Sequence, residues 1–175
     1  AFPIKFNDIE DLKNIFSKKN YPKIIIVEGA RYDFMSKNFA NEIMKIKNKL
    51  NIILIIDEIT SGWRVNNGGA YKSYNLKPDI VVYGKSIGNG FPITAIIGKK
   101  KVMEFAQDTF ISSSFWTEST GFAAAIKTLE IFTKKNVSKF LIEKGNYIGE
   151  NWKKIAKDLD LSIEVNNFKP LITFK

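Results

Sequence analysis

Three charged residues in this sequence stand where a catalytic or binding site could form. Glu28, Asp57 and Lys85 each follow a run of four or five apolar, mostly β-branched residues, in the case of Lys85 after one glycine. Such runs predict buried strands, and the carboxyl ends of parallel strands meet at the sheet edge where ligands bind in open α/β folds. A partly desolvated lysine amine at that edge can lose its proton and attack a carbonyl group. We therefore expect a site that combines an amine nucleophile with carboxylates.

The composition excludes several other kinds of chemistry. The chain of 175 residues is 45% hydrophobic and 13% aromatic, which is enough for one buried core, and it contains no Cys and no His. Thiol nucleophiles, Ser-His-Asp triads, disulfides and zinc sites are therefore excluded, and no metal site is predicted. The net charge of +9 comes mainly from lysines scattered along the chain, so we do not expect nucleic-acid binding.

The sequence also lacks segments that direct a chain into or across a membrane. Its apolar runs are much shorter than the roughly 20 residues that span a bilayer. No signal-peptide pattern opens the sequence. We expect no membrane partner and a cytoplasmic location.

Helical and strand-like patterns alternate along the chain. Apolar residues recur at helical spacing in 9–16, 39–50, 121–132 and 141–159, and short apolar runs occupy 24–27, 52–56, 80–83 and 94–97. Asn7 or Asp8 can cap the first helix, and the final stretch, 161–174, is predicted to be extended. This order predicts an α/β fold with a largely parallel sheet covered by helices, its strands buried on both faces.

Two nucleotide-binding motifs match parts of the sequence but fail on spacing. The run Leu-Ile-Ile-Asp-Glu at 54–58 is typical of the magnesium-holding strand of a P-loop nucleotide hydrolase, and Gly-Lys-Ser at 84–86 could end a P-loop. The first glycine of that loop would have to be residue 79, which is Asp79, and the loop follows the Asp-Glu strand instead of preceding it. A dinucleotide-binding glycine pattern would need a third glycine at position 93, which is Ile93.

Pyridoxal phosphate chemistry accounts for the lysine and the aspartate together. In such enzymes a lysine forms a Schiff base with the cofactor, and an acid pairs with the protonated pyridine nitrogen so that the ring can take up electrons. This chemistry requires an ionised aspartate on the strand next to the lysine. Asp57 and Lys85 meet that requirement.

Three motifs carry a resemblance to a known family. They are Ile-Ile-Asp-Glu-Ile-Thr-Ser-Gly-Trp-Arg at 55–64, Lys-Pro-Asp at 77–79 and Tyr-Gly-Lys-Ser-Ile-Gly-Asn-Gly-Phe-Pro-Ile at 83–93. The sequence resembles class III pyridoxal-phosphate-dependent aminotransferases over almost its whole length, and most closely their glutamate-1-semialdehyde aminomutase-like branch. The resemblance implies the large domain of a fold-type I pyridoxal-phosphate-dependent transferase, with a mostly parallel sheet flanked by helices.

The resemblance also implies roles for particular residues. Lys85 would form the Schiff base, Asp57 would hold the pyridine nitrogen, and Ile59 would pack on the face of the ring. Ser113 and Ser114 match the segment whose hydroxyl reaches the cofactor phosphate of the neighbouring subunit, with Ser114 as the preferred residue.

At several positions the sequence departs from the family pattern. Trp116 and Thr117 replace the glycines that normally follow the serine segment. Glu28 matches a family glutamate near the substrate pocket, but Gly29 stands where a proline normally follows. We expect Arg64 to be a structural ion-pair partner and not a substrate-binding residue.

The length of the family's members indicates how the chain is organised. They are far longer, so we expect a central fragment of an aminotransferase or aminomutase, homodimeric in full-length form, with a small-molecule amino donor and a carbonyl acceptor. Residues 1–136 would be part of the cofactor-binding large domain. Residues 137–175 would be the connecting helix and the beginning of an α+β small domain. A non-catalytic remnant with a binding or scaffolding role is the alternative, and a nucleotide-hydrolase-like protein is a third.

Overall fold

Helices and strands alternate along the chain, as the sequence predicts. The computed structural model describes residues 1–116 and 118–175. Its strands are β1 (Ile24–Glu28), β2 (Ile53–Asp57), β3 (Ile80–Tyr83) and β4 (Ala95–Gly98), and its helices are α1 (Ile9–Phe16), α2 (Lys37–Leu50), α3 (Lys100–Met103), α4 (Ser119–Lys135) and α5 (Val137–Asp158). Short 3₁₀ helices occupy Ala70–Tyr74, Lys85–Ile87, Glu104–Asp108 and Lys169–Leu171. Within these described ranges, no helix has the length and apolarity needed to cross a membrane.

The four strands form one mixed sheet in the order β1-β2-β3-β4. β1, β2 and β3 run parallel, with Ile26 opposite Ile55 and Ile55 opposite Ile80. β4 pairs with β3 in the antiparallel direction. The predicted largely parallel sheet is thus confirmed, and the carboxyl ends of its three parallel strands lie at one edge.

The helices of the described chain bury only one face of this sheet. On that face, β1 and β2 pack against α1 and α2, and β3 packs against α4, through residues that include Leu12, Ile25, Phe39, Ile43, Leu54, Ile56, Val81, Tyr83 and Ala125. On the opposite face, Ile26 is 66% exposed and Ile96 is 56% exposed. The predicted burial on both faces is therefore wrong for the described residues. Strand geometry sends alternate side chains to opposite faces, and the helices leave one of these largely open.

Asp79 anchors the start of the strand that leads to Lys85. Its buried carboxylate accepts hydrogen bonds from Lys47 Nζ, from Lys99 Nζ at 2.8 Å and from the backbone N–H of Leu54 at 2.9 Å. Burial by itself would raise the pKa of Asp79, but these hydrogen bonds outweigh it and hold the pKa below its ordinary value. One carboxylate thus ties β3 to α2, β2 and the end of β4.

The segment after α5 packs back onto the sheet region through Phe168. This side chain is fully buried in a small cluster with Ala30 and Ala70, and its ring lies edge-on to Phe34 with the centroids 5.7 Å apart. Of the extended structure predicted for 161–174, a short antiparallel pairing forms through one bridge and three backbone hydrogen bonds between 164–166 and 173–175, and a 3₁₀ turn interrupts it. Asn136 separates α4 from α5 and lies where the predicted domains 1–136 and 137–175 meet. That division stays a prediction.

Candidate active site

Three predicted site residues lie at the carboxyl edge of the parallel strands. Glu28 and Asp57 are the last residues of β1 and β2 and lie opposite each other in register. Lys85 follows the neighbouring strand β3 after one glycine. The Glu58 backbone N–H donates to the Val82 carbonyl at 2.9 Å, so β2 and β3 stay paired as far as this edge. The predicted common edge is confirmed, whereas the roles of these residues stay predictions.

Lys85 has an unusual backbone conformation, and a hydrogen bond holds its side chain. Its φ of +46° lies in the left-handed region. Its Nζ donates a hydrogen bond to the Thr60 hydroxyl at 2.8 Å. A Cβ built on Gly84 would lie 3.4 Å from the Ile59 side chain, so Ile59 packs beside the backbone that carries the lysine. Thr60 is a site residue that the sequence did not indicate.

Strained backbone coincides with this site. Eight non-glycine residues of the described chain have positive φ, and six of them are Asn or Asp, which tolerate this conformation. The other two are Lys85 and Trp63, the latter with φ of +55°, and both line the same cavity. Such conformations cost about 1–3 kcal/mol each and cluster at functional sites, because the surrounding structure must hold them in place.

A buried carboxylate, Glu58, fixes the loop that carries Thr60. The Glu58 side chain has no exposed surface and accepts hydrogen bonds from the Ser61 hydroxyl and from the backbone N–H groups of Ala70 and Tyr71, at 2.5, 3.0 and 2.8 Å. Burial raises the pKa of Glu58, and these hydrogen bonds partly oppose that shift. The carboxylate therefore fastens the residues just after β2 to the 3₁₀ helix that follows twelve residues later.

Two glycines leave room for this carboxylate. A Cβ at Gly69 would lie 2.5 Å from Glu58 Cδ, and one at Gly29 would lie 2.7 Å from Glu58 Oε1. Gly29, which departs from the family's proline, thus has a packing reason in this chain. The available sequence signal for Glu58 was its place directly after Asp57, the last residue of β2, because strand alternation turns successive side chains to opposite faces.

Asp57 and Glu28 line a cavity of about 470 Å³. Asp57 is half-buried, its Oδ1 accepts the Ile59 backbone N–H at 2.9 Å, and it forms no ion pair with any described residue. Glu28 instead pairs with Arg31, whose Nη1 lies 3.0 Å from Glu28 Oε1. Of the two carboxylates that end β1 and β2, Asp57 is therefore the one without a cationic partner within the described chain.

Lys85 lines a larger cavity of about 640 Å³, bounded by α4, the start of α5 and the loop after β3. Arg64, Trp63 and Phe91 line it too. Burial lowers the pKa of Arg64, and its Nε is buried without a hydrogen-bond partner among the described residues. The ion pair predicted for Arg64 does not form within the described chain, because Arg64 lines the Lys85 cavity and the described residues around that cavity include no carboxylate.

The predicted phosphate-binding serines lie apart from both cavities. Ser113 and Ser114 are exposed in the loop before α4, where the Ser113 hydroxyl accepts the Phe115 backbone N–H at 3.3 Å. Neither serine lines the cavity of Lys85 or that of Asp57. Their predicted role, which is to reach a cofactor held by a second subunit, stays a prediction. Thr117, one of the two residues that replace the family's glycines, lies outside the described residues.

Solved structures of similar shape identify the class of fold. The chain superposes with a TM-score of 0.89 on the FumI protein of Sphingopyxis sp. MTA144 in its pyridoxal-phosphate internal aldimine form, at 23% identity, over 98% of this chain and 43% of that one. Ornithine aminotransferase from Plasmodium yoelii superposes with a TM-score of 0.78 at 23% identity, over 98% of this chain and 48% of that one. The chain therefore has the α/β fold of pyridoxal-phosphate-dependent aminotransferases.

Sequence similarity places the chain within one family. A profile of the family Aminotransferase class-III matches residues 24–167, and the chain belongs to this family. It is 32% identical to 3-aminobutyryl-CoA aminotransferase of Cloacimonas acidaminovorans, over 99% of this chain and 44% of that protein. It is 29% identical to glutamate-1-semialdehyde 2,1-aminomutase of Sulfurihydrogenibium azorense, over 97% of this chain and 42% of that protein. The chain thus spans less than half the length of these relatives, which include both aminotransferases and aminomutases.

Proposed function

We propose that this chain forms the cofactor-binding edge of a pyridoxal-phosphate-dependent enzyme that transfers or relocates an amino group. The observation that carries the proposal is that the strained Lys85 and Asp57 lie at the same edge of the sheet, each at the carboxyl end of one of two adjacent parallel strands. Pyridoxal phosphate would supply an aldehyde for the amine and a ring that takes up electrons. Membership of the class III family supports this assignment.

The described side chains fit the aldehyde and ring ends of this cofactor. Asp57 has no cationic partner among the described residues, so its carboxylate is available to hold a protonated pyridine nitrogen by a charge-assisted hydrogen bond. Ile59 offers an apolar contact next to the backbone of Lys85. The amine of Lys85 would then bind the aldehyde carbon covalently. Ser113 and Ser114 would contribute to phosphate binding across a homodimer interface.

The proposed substrates are a small-molecule amino donor and a carbonyl acceptor, in a cytoplasmic homodimer. An aminotransferase and an aminomutase need the same amine, carboxylate and apolar ring contact, and relatives of both kinds support the proposal equally. Glu28 and Arg64 line the two cavities nearest these groups and are the candidates for contact with substrate.

The local structure disfavours the nucleotide-hydrolase alternative. A P-loop cradles phosphates at the N-terminus of a helix that directly follows the glycine-rich loop. Here Lys85–Ile87 is a 3₁₀ helix of three residues, and the chain then turns into the antiparallel strand β4. The described residues after β3 therefore do not offer the row of helical N–H groups that a phosphate would need.

Trapping of the cofactor on Lys85 tests the proposal. We expect the full-length protein, mixed with pyridoxal phosphate and reduced with borohydride, to carry the cofactor on the peptide that contains Lys85. Lys85→Arg should not be labelled, because a guanidinium group stays protonated and cannot act as the nucleophile. Lys127→Arg is the matched control, because Lys127 lines the same cavity but pairs with Glu130 at 3.0 Å.

Two results would oppose the proposal in different ways. Label on a lysine other than Lys85 would refute the assignment of the nucleophile. Label on Lys85 without turnover of any amino donor would favour the non-catalytic remnant. Labelling together with transfer of an amino group to a keto acid would establish the enzyme.

A further inference from the structure

We propose that Thr60 is a positioning residue that holds the Lys85 amine at the carboxyl edge of the sheet and so sets its rate of reaction with an aldehyde. The inference rests on the proposed function, because it takes Lys85 as the reacting amine. The observation behind it is the hydrogen bond of 2.8 Å from Lys85 Nζ to Thr60 Oγ1.

The Thr60 hydroxyl is fixed in place by its own surroundings. Thr60 is 7% exposed, and the residues on either side of it belong to the loop that Glu58 holds through Ser61. A second link comes from Ser86, whose hydroxyl donates to the carbonyl of Gly62 and ties this loop to the turn that carries the lysine. The acceptor for the amine is therefore rigid.

Within the part of the chain that the structure describes, the Lys85 side chain has no other restraint of this kind. It is exposed, and Thr60 provides the one hydrogen bond that its Nζ makes within the described residues. An unrestrained lysine samples many rotamers, since its stem has four rotatable bonds. Loss of the Thr60 hydroxyl would thus release the amine from the position in which the left-handed backbone at Lys85 presents it.

A hydroxyl group suits this task in both protonation states of the amine. It accepts a hydrogen bond from the ammonium form, as observed, and its O–H can turn and donate to the lone pair of the neutral amine. A carboxylate in its place would favour the ammonium form alone, which cannot attack a carbonyl group. Thr60 can therefore keep Nζ in one place while its proton leaves to solvent.

The reaction that this placement would assist is the addition of the amine to an aldehyde. The neutral Nζ forms a bond to the aldehyde carbon, one water molecule is lost, and a C=N bond replaces the C=O bond. No oxidant or reductant takes part. The rate depends on how often Nζ lies within reach of the carbon in the right direction, and small displacements of a reacting group are costly.

The test compares Thr60→Val with Thr60→Ser in the full-length apoprotein. Valine keeps the volume and branching of threonine but has no hydroxyl, and serine restores the hydroxyl without the methyl group. The rate of C=N formation is followed by absorbance after mixing with pyridoxal phosphate. The affinity for deoxypyridoxine phosphate, which has no aldehyde, is measured in parallel.

We expect Thr60→Val to slow C=N formation about tenfold, the effect of losing roughly 1.4 kcal/mol of stabilisation, while Thr60→Ser stays within about twofold of the parent. All three proteins should bind deoxypyridoxine phosphate equally, because the hydroxyl acts on the lysine and not on the ring. Thr60→Ala removes the same hydroxyl without the branched side chain and must show the same slowing, which covers the case in which the valine variant does not fold.

Three results would overturn the inference. The first is a valine or alanine variant that reacts at the parent rate. The second is a serine variant as slow as valine together with weakened binding of deoxypyridoxine phosphate, which would indicate a packing role alone. The third is failure to trap Lys85 in the parent protein, which would refute the proposed function and this inference with it. A parent that is trapped at Lys85, with variants that are equally fast, would refute only the role of Thr60.

Discussion

Replacement of Asp79 by asparagine should destabilise the protein strongly, although Asp79 is not among the predicted site residues. Asp79 is 7% exposed, and its carboxylate accepts hydrogen bonds from Lys47, Lys99 and the backbone of Leu54. The Lys47 side chain is only 12% exposed, and removing one partner of a buried ion pair costs about 3–5 kcal/mol. Lys47 keeps a hydrogen bond of 3.3 Å to the Ile52 carbonyl, so we expect the lower end, about 3 kcal/mol.

The exposed partner of Asp79 provides the matched control. The Lys99 side chain is 57% exposed, and ion pairs at that exposure contribute about 0–1 kcal/mol. In urea unfolding of the full-length protein at neutral pH, Asp79→Asn should therefore lose several times more free energy of unfolding than Lys99→Met. Equal losses in the two variants, or a loss below about 1 kcal/mol in Asp79→Asn, would refute this reasoning.

The same variant carries a prediction for pH dependence. The pKa of Asp79 in the folded protein lies below its ordinary value of 3.8. The stabilisation that ionised Asp79 gives the folded protein is therefore complete at pH values above that ordinary pKa, and it is lost as the pH falls through the folded-state pKa. The parent should lose stability over this acid range, and Asp79→Asn should lose less there. If the free energy of unfolding fell equally with acid pH in the two proteins, Asp79 would not be the source of this pH dependence.

Two further substitutions probe the site and its support. Asp57→Asn should leave the free energy of unfolding unchanged but lower turnover about 10- to 100-fold, because the loss of a charged hydrogen bond costs about 1.5–3 kcal/mol. Near-normal turnover would count against the proposed function. Gly69→Ala should destabilise the protein by about 1–3 kcal/mol, since its Cβ would lie 2.5 Å from Glu58 Cδ. The control in the same unfolding assay is Gly84→Ala, whose Cβ would make an ordinary contact of 3.4 Å with Ile59. An equal loss of unfolding free energy in the two variants would show that crowding by the added methyl group is not the cause of the destabilisation.

The strands and the common edge could be predicted from the sequence. The predicted strand 80–83 has the observed bounds, that at 24–27 is one residue shorter than the observed strand, and that at 52–56 is shifted by one residue from the observed 53–57. Apolar β-branched runs of this length, separated by helical patterns, leave few alternatives to parallel pairing. Once β1, β2 and β3 are parallel, Glu28, Asp57 and Lys85 must lie at one edge.

The exposure of the sheet and the position of Arg64 could not be predicted in this way. An apolar run shows that both faces of a strand avoid polar side chains, but it does not show which neighbouring element covers each face. The exposed Ile26 and Ile96 show that the described helices cover one face only. Whether a charged side chain finds a partner likewise depends on residues distant in sequence, and Arg64 finds no carboxylate in the described chain.

The sequence by itself determined which residue types follow the strands, a lysine and an aspartate at the ends of adjacent strands, because strand order and side-chain period follow from local patterns. Only the tertiary structure decided how they are held. The 2.8 Å contact between Thr60 and Lys85 joins residues 25 positions apart. The bonds from Ala70 and Tyr71 to Glu58 span 12 and 13 positions. Contacts of this range depend on loop conformations with no periodic signature, so they exist only once the chain has packed.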